Sequence, residues 1–211
     1  MEIIAHRGYW KKKEEKNSLE SFRRARACNF GTETDFRDYG RKLKVSHDMP
    51  GEESLNAEEF FSLYQDTELT LAINIKADGL QSLIKDFVEK YRIKHYFCFD
   101  MSVPDTLLYA QERIRFFARE SEYEKNLSFY EEAQGVWMDG FHSDDWITEE
   151  RIQDHLARNK QVCIVSPELH SREHKSTWER YKKMNILERN DIILCTDYPE
   201  EALEYFYGEN N

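Results

Sequence analysis

The chain lacks the features that mark several classes of protein. No segment approaches the roughly 18 consecutive apolar residues of a membrane span, and residues 1–8 have neither the basic start nor the long apolar core of a secretion signal. The few cysteines fit no metal-finger or C-x-x-C spacing. No Pro/Gly-rich linker interrupts the chain. These absences predict a soluble, cytoplasmic protein with a single domain over residues 1–211 and buried, reduced thiols.

An excess of positive charge is also missing. The chain carries 30 Lys and Arg against 41 Asp and Glu, a formal net charge of −11. This balance argues against a nucleic-acid partner, because phosphate backbones bind basic surfaces. The charge is uneven, since residues 1–50 hold 12 Lys and Arg against 8 Asp and Glu. A basic first quarter suits a site for a metal and an anion together, although a solvated surface explains its lysines equally well.

The residues that are present have the pattern of an α/β protein. Short β-rich runs alternate with longer amphipathic segments from end to end. Strands that are each followed by a helix imply parallel pairing through right-handed crossovers, and so an open doubly wound sheet or a closed (β/α)8 barrel. No glycine-rich phosphate loop appears, which removes the main reason to prefer the open sheet. The pattern therefore predicts a compact (β/α)8 TIM barrel, near the lower size limit of that fold.

The predicted elements cover the chain without a long gap. Strands are predicted over residues 2–7, 31–38, 42–48, 69–76, 95–100, 114–120, 135–141, 161–166 and 191–197. Helices are predicted over residues 19–26, 55–64, 79–91, 103–113, 126–133, 148–159, 176–185 and 199–207. The second and third strands are expected to form a hairpin, which leaves eight strands for the barrel.

Glu33 and Asp35 raise a question about the second strand. Residues two apart in a strand point to the same face. If that face is buried, the two carboxylates repel each other and need a cation or hydrogen-bond donors. If it is an exposed sheet edge, they only increase solubility. Other polar residues also stand at predicted strand ends, where barrels carry their chemistry: His6, Arg7, His47, Asp48, Asn74, Lys76 and Asp197. Together they predict a metal-assisted phosphate site.

These residues belong to ordered motifs that resemble the glycerophosphodiester phosphodiesterase family. That family is part of the larger superfamily that includes phosphatidylinositol-specific phospholipase C. The motifs, in order, are AHRG (residues 5–8), NSLESF (17–22), ETDFR (33–37), SHD (46–48), NIK (74–76) and TDYP (196–199). An isolated H-R-G is a weak signal, whereas the whole series in order is specific, and residues 3–48 carry most of it.

The resemblance implies a TIM barrel with phosphodiester hydrolase activity on a glycerophosphodiester or related small-molecule headgroup in lipid metabolism. It implies these site residues: His6 and His47 as general acid and base, Arg7 and Lys76 for the substrate phosphate, and Glu33, Asp35 and Asn74 for a divalent metal. Oxygen ligands favour Mg²⁺ or Ca²⁺. On this interpretation the two carboxylates of the second strand share a face because both bind the same ion.

Asn74 and Lys16 depart from the family pattern. Asn74 stands where members carry a metal-binding carboxylate, and the lost charge should weaken metal binding or shift the metal preference. Lys16 replaces an acidic residue before Asn17. Only 25 residues separate Asp48 from Asn74, which leaves no room for a cap insertion, so the mouth is expected to be open to bulkier substrates. The alternative function is a non-catalytic phosphate-binding barrel whose metal site is weakened at Asn74.

Two further carboxylates, Glu120 and Asp139, lie near predicted strand ends. Either could supply the missing metal carboxylate, or it could cap a helix or order a loop. The histidines outside the motifs have no partner spacing and are predicted to be surface or structural residues: His95, His142, His155, His170 and His174.

Overall fold

A computed structural model of the chain describes residues 1–208. The strands are β1 (Glu2–His6), β2 (Gly31–Tyr39), β3 (Lys42–Val45), β4 (Leu71–Ile75), β5 (Tyr96–Phe99), β6 (Phe117–Ser121), β7 (Gly135–Asp139), β8 (Gln161–Val165) and β9 (Ile192–Thr196). The helices are α1 (Leu19–Ala27), α2 (Ala57–Leu63), α3 (Gln81–Lys90), α4 (Val103–Gln111), α5 (Glu149–Ala157), α6 (Lys175–Lys182) and α7 (Pro199–Tyr207). Within residues 1–208, no helix has both the length and the apolar character needed to cross a bilayer.

The strands follow the order expected of a barrel. Hydrogen-bonded neighbours run β5-β4-β2-β1-β9-β8-β7-β6, and β3 pairs with β2 alone. An isolated parallel bridge joins Cys98 of β5 to Phe116, the residue that precedes β6, so the sheet is nearly closed. This is the arrangement of a (β/α)8 barrel with an added antiparallel hairpin strand. The fold class predicted from the sequence is confirmed.

The described residues form two compact units. One is Ala5–Phe116, and the other joins Met1–Ile4 to the chain from Phe117 onward. All seven site residues predicted from the sequence lie in the first unit. The single domain over residues 1–211 stays a prediction, and its last three residues lie outside the described part of the chain.

The structure of β2 shows whether the face that carries Glu33 and Asp35 is buried or exposed. Phe36 packs against α2, with its ring centroid 5.6 Å from that of Phe60 and 5.4 Å from that of Phe61. Because side chains alternate along a strand, Glu33 and Asp35 point away from α2. Both are buried, with 1% and 0% of their surface exposed. The solubilising interpretation of this pair is therefore wrong.

The predicted hairpin forms between β2 and β3, which pair antiparallel. Gly40 and Arg41 connect the strands, and both have a positive φ, 56° and 65°. Two consecutive residues of this conformation make a type I′ turn, which matches the twist of a hairpin. β3 ends at Val45 rather than at Asp48, so His47 lies in the loop that follows the strand.

One predicted helix is wrong. Residues 126–133 form turns between β6 and β7. Phe129 has a φ of +56°, a left-handed conformation that interrupts a right-handed helix. The Lys160 ammonium group donates hydrogen bonds to the backbone carbonyls of Glu131 and Ala133 at 3.0 and 2.6 Å. These backbone carbonyls therefore bond a side chain and not the N–H groups of a helix. The connection between β6 and β7 is accordingly a loop.

The buried thiols follow the apolar strands. Cys98, Cys163 and Cys195 lie in β5, β8 and β9 and are buried, whereas Cys28 is exposed. Burial is therefore confirmed for the three thiols that stand in apolar segments.

In the second unit, the Glu122 carboxylate holds the turn that follows β7. It accepts hydrogen bonds from the backbone N–H groups of Phe141, His142 and Ser143 at 3.0, 2.9 and 3.0 Å. Partial burial disfavours the charged form, but these hydrogen bonds outweigh it and lower the pKa of Glu122 to about 2. The charged carboxylate therefore stabilises this turn.

We expect Glu122 to make the stability of the protein depend on pH. Its pKa is 4.5 before folding and about 2 in the folded chain, so its stabilisation is complete above pH 4.5 and is lost as the pH falls towards 2. Glu122→Gln should lower the free energy of unfolding by about 1 kcal/mol at pH 7, a value reduced for solvent screening. Urea denaturation of both proteins from pH 7 to pH 3 measures the difference, which should narrow with acidity. A difference that stays constant would contradict this role.

Candidate functional site

Polar residues gather in the first unit where β1, β2 and β4 end. The parallel register pairs Asp35 of β2 with Asn74 of β4. The backbone N–H of Lys76 donates to the carbonyl of Phe36 at 3.0 Å, which continues the same pairing one step beyond β4. Residues paired in register point to the same side of a sheet. The side chains of Asp35 and Asn74 therefore share a face, as the sequence predicts for residues at these strand ends.

Glu33 connects β2 to the end of β1. Its Oε2 accepts a hydrogen bond from the backbone N–H of Arg7 at 3.1 Å and lies 3.8 Å from Nε2 of His6. Burial first, and then the negative charge of Asp35, raise the pKa of Glu33 to about 8, against the opposing effects of Arg7 and Lys76. Two carboxylates on one buried face thus interact strongly, as their spacing predicts.

Asp35 is the most enclosed charge of the cluster, with no exposed surface. The Asn17 side-chain amide donates to its Oδ2 at 2.8 Å. Nε of Arg7 lies 3.0 Å from the same oxygen and forms an ion pair with it, although this Nε–H group makes no hydrogen bond. Nζ of Lys76 lies 3.6 Å from Oδ1. One buried carboxylate therefore holds both cations that were predicted to bind phosphate.

The H-R-G turn has a local cause. Arg7 and Gly8 both have positive φ, 56° and 81°. A Cβ atom on Gly8 would lie 2.5 Å from Oγ of Ser21 and 2.9 Å from the Phe22 ring, closer than real Cβ contacts allow. The Arg7 carbonyl accepts hydrogen bonds from the Ser21 hydroxyl at 3.2 Å and from the Asn17 backbone at 3.0 Å. The turn is thus packed against the start of α1, where only glycine fits.

Two residues of the cluster were missed by the sequence prediction. Asn17 stands in the NSLESF motif but was given no role at the site. Ser18 caps α1 by accepting from Ser21 at 3.2 Å, while Asn17 bonds Asp35. Asp100, which follows β5, places its Oδ2 3.5 Å from Nζ of Lys76. Its position directly after an apolar strand was the available signal, because strand ends of a barrel meet at one face.

His47 is less closely tied to the cluster. The backbone N–H of Ser46 donates to the Asp35 carbonyl at 2.9 Å, which brings the loop after β3 to the end of β2. Nδ1 of His47 lies 2.9 Å from Oδ1 of Asp48, and its side chain is 45% exposed. The structure thus places the His47 backbone beside the site. Its pairing with His6 as acid and base stays a prediction.

The oxygen atoms of the cluster fit a divalent cation. Oδ1 of Asp35 and Oδ1 of Asn74 are buried and accept no hydrogen bond, and Glu33 adds a third oxygen ligand from the same strand as Asp35. Mg²⁺ and Ca²⁺ prefer such carboxylate and amide oxygens. Within the described chain, no three His, Cys, Asp or Glu side chains are grouped to hold a metal. The candidate set accordingly consists of two carboxylates and one amide, with one negative charge fewer than three carboxylates would give.

Glu120 and Asp139 are engaged inside the second unit. Glu120 accepts from Arg151 and lies 2.9 Å from Nε2 of His155. Oδ1 of Asp139 lies 2.6 Å from Nε2 of His170. These partners favour an ordering role for both carboxylates over a role as metal ligands.

Comparison with known proteins supports the fold. Scans against family models and against curated proteins found no match. Among solved structures, a glycerophosphodiester phosphodiesterase from Parabacteroides distasonis ATCC 8503 has a TM-score of 0.71 and 16% identity, over 98% of this chain and 96% of that one. One from Agrobacterium tumefaciens str. C58 has a TM-score of 0.68 and 12% identity, over 98% and 99%. A Ca²⁺-dependent phosphatidylinositol-specific phospholipase C from Streptomyces antibioticus has a TM-score of 0.61 and 9% identity, over 99% and 98%.

These likenesses cover nearly the whole chain and concern its fold. The resemblance inferred from the motifs is confirmed at that level: the chain has the fold of the glycerophosphodiester phosphodiesterases and of the wider phospholipase C-like superfamily.

Proposed function

We propose that this chain is a metal-dependent phosphodiesterase that hydrolyses a glycerophosphodiester or a related phosphorylated headgroup. The observation that most supports this proposal is the environment of Asp35. This buried carboxylate holds Arg7 and Lys76, and its own Oδ1 and that of Asn74 lack hydrogen-bond donors. Glu33 of the same strand lies 3.8 Å from the His6 imidazole. Cations for a phosphate, a titratable base and oxygen ligands for a metal are what metal-assisted phosphodiester hydrolysis requires.

Arg7 and Lys76 are the groups that would bind the phosphate. Their side chains are 22% and 21% exposed, so each has a buried part held by Asp35 and a part that a ligand can reach. Guanidinium and ammonium groups form strong charge-assisted hydrogen bonds with phosphate oxygens. Because Asp35 and Asp100 fix their positions, these donors need little reorganisation as charge builds on the phosphate.

His6 and His47 are the groups that would move protons. An imidazole with a pKa near 6.5 can donate or accept a proton at neutral pH. Nε2 of His6 lies 3.8 Å from Glu33, beside the residues that would hold the metal, where the imidazole would act as the proton donor to the leaving alkoxide. His47 is turned by Asp48 so that Nδ1 is engaged and Nε2 is left to take the proton of the attacking hydroxyl.

Glu33, Asp35 and Asn74 are the residues that would hold Mg²⁺ or Ca²⁺. Such an ion, when bound, supplies Lewis-acid stabilisation of the charge on a phosphate oxygen. The chain itself contributes the burial of the three oxygen ligands and the positions set by adjacent strands.

A hydrolysis assay tests the proposal. The purified chain is incubated with glycerophosphodiesters of small and bulky headgroups, with Mg²⁺, Ca²⁺ or EDTA, and ³¹P NMR follows the conversion of phosphodiester to phosphomonoester. We expect turnover with a metal and none with EDTA. The absence of turnover for every substrate and metal would reject the proposal.

Asn74→Glu should strengthen metal binding. The substitution places a third carboxylate next to Asp35, and added ligand charge raises the affinity for Mg²⁺ and Ca²⁺. We expect Kd to fall about tenfold, which isothermal titration calorimetry measures directly. Gln65→Glu adds the same charge at an exposed position of the same unit and should leave Kd unchanged. Equal effects of the two substitutions would show that Asn74 is not a ligand.

A non-catalytic phosphate-binding barrel is the second candidate. It is favoured by the ion pairs of Asp35, because Arg7 and Lys76 already offset its charge without a metal. For this function, calorimetry in EDTA should show that inorganic phosphate binds, and the hydrolysis assay should show no turnover with any metal.

A further inference from the structure

The loop that replaces the predicted helix leaves a cavity in the second unit. Its volume is about 500 Å³, and it lies between residues 125–130 on one side and α5 with Glu120 of β6 on the other. A cavity of this size accommodates a small organic ligand. None of the residues that line it belongs to the candidate site described above, so its occupant needs a separate explanation.

The floor of the cavity is a buried polar network. Oε1 of Glu120 accepts from Nε of Arg151 at 2.8 Å, and its Oε2 lies 2.9 Å from Nε2 of His155. Nδ1 of His155 lies 2.8 Å from the Tyr130 hydroxyl. Arg151 offsets the charge of Glu120, which is 1% exposed. Because these groups satisfy one another, the network orders the cavity walls before any ligand binds.

The rim of the cavity is rich in cations. Nε and Nη2 of Arg151 bond Glu120. The Arg151 side chain is 44% exposed, so its Nη1 group can donate hydrogen bonds to a ligand. The Arg158 guanidinium lies 5.9 Å from the centroid of the Tyr130 ring, and Lys125 adds a third cation from the loop. Against the carboxylates of Glu120 and Asp154, these three cations leave the lining with one net positive charge. On a chain with a net charge of −11, this local balance favours an anionic ligand.

The remaining wall residues indicate that the cavity fits a small ligand better than a helix of a protein partner. A helix in this place would bury an apolar stripe, whereas the walls present a single aliphatic side chain, Leu127, beside Asn126, Ser128 and Asp154. An amide, a hydroxyl and a carboxylate can bond the hydroxyl groups of a ligand. The carboxylate of Asp154 also disfavours a ligand that is anionic throughout. The chemistry is that of a molecule with one anionic end and a hydroxylated remainder.

We propose that this cavity is a second binding site and that its ligand is a phosphorylated polyol. Lys125, Arg151 and Arg158 bind the phosphate, and Asn126, Ser128 and Asp154 bind the hydroxyl groups. Leu127 supplies an apolar surface for the carbon chain. A phosphomonoester of this class is also what hydrolysis of a glycerophosphodiester releases, but the site in the second unit is inferred from its own residues alone.

NMR of the whole chain tests this site locally. Glycerol 3-phosphate is titrated while the Nε–Hε signal of Arg151 and the ring signals of His155 are followed, because both belong to the cavity floor. We expect saturable shifts of these signals. Inorganic phosphate should bind at least about tenfold more weakly, since it lacks the hydroxyl contacts. The absence of saturable shifts, or equal affinities for the two probes, would overturn the proposal.

A charge-matched pair of variants separates the cavity from the surface. Lys125→Gln with Arg158→Gln removes two rim cations and should raise Kd for glycerol 3-phosphate about tenfold or more. Lys175→Gln with Lys183→Gln removes two cations of the same unit whose side chains are 63% and 73% exposed, and should leave Kd within about twofold. An equal loss in both variants would show that net charge, and not the cavity, binds the phosphate.

The same titration in His6→Ala keeps the two proposals independent. Saturable shifts of Arg151 and His155 in a protein that does not hydrolyse phosphodiesters support the cavity site whatever the outcome for the first unit. Hydrolysis by the unaltered chain without any such shifts would overturn the cavity site alone.

Discussion

Replacement of His6 by Ala should lower kcat for phosphodiester hydrolysis about 10³-fold, within the range found when a general acid is removed. The reason is geometric: this imidazole ends β1, is 12% exposed and lies 3.8 Å from Glu33, one of the residues that would hold the metal. The folded state should remain, because the side chain is at the edge of the core. Rates by ³¹P NMR, with thermal unfolding by circular dichroism, measure both quantities.

His95→Ala is the matched control for that substitution. His95 lies in the same unit, its side chain is 52% exposed, and it contacts Glu68 at 3.0 Å. It should hydrolyse substrate at the unaltered rate. A rate for His6→Ala equal to that of His95→Ala would remove His6 from the mechanism.

Asp35→Ala should be the most destabilising change in the candidate site. Asp35 is fully buried, and its removal leaves Arg7 and Lys76 together without their shared counter-charge. Loss of one partner from a buried ion pair typically costs about 3–5 kcal/mol of unfolding free energy. Urea denaturation measures this loss, and hydrolysis should be lost as well, because the phosphate-binding cations are no longer held.

Asp38→Ala is the control for the effect of Asp35. It removes an exposed carboxylate from the same strand, and surface changes of this kind usually alter stability by less than about 0.5 kcal/mol. Similar free energies of unfolding for the two variants would mean that the buried ion pairs of Asp35 contribute nothing to stability.

The features that follow from short-range rules could be predicted from the sequence. The two-residue period of a strand placed Glu33 and Asp35 on one face, and the strand pattern with the ordered motifs gave the barrel class. The Gly40–Arg41 turn of the hairpin has the same local origin. Burial of the acidic pair could not be decided in this way, because it depends on groups distant in sequence that cover the pair, such as Asn17 and Lys76.

The predictions from the sequence that were wrong or incomplete failed because of contacts between residues far apart in the chain. Residues 126–133 have helical spacing, but Lys160 holds the carbonyls of Glu131 and Ala133 from a distant part of the chain. Asn17 lies just before the cap of α1, yet its amide bonds Asp35, 18 residues away. Such partners leave no periodic signal in a single sequence.

His155 illustrates the same limit. The sequence placed it among surface or structural histidines, and the structure shows it 8% exposed, between Glu120 and Tyr130. The three residues come from β6, the β6–β7 loop and α5, so their spacing along the chain carries no information about the network. The cavity in the second unit could not be predicted for this reason.

The position of a bound ion gives the most direct test of the proposal that the acidic pair of β2 shares a cation. Crystals soaked with Ca²⁺ and glycerol 3-phosphate should show an anomalous peak about 2.3–2.6 Å from oxygens of Glu33, Asp35 and Asn74, with the phosphate against Arg7 and Lys76. A peak only at other residues, with the Lys76 ammonium still the neighbour of Oδ1 of Asp35, would contradict it.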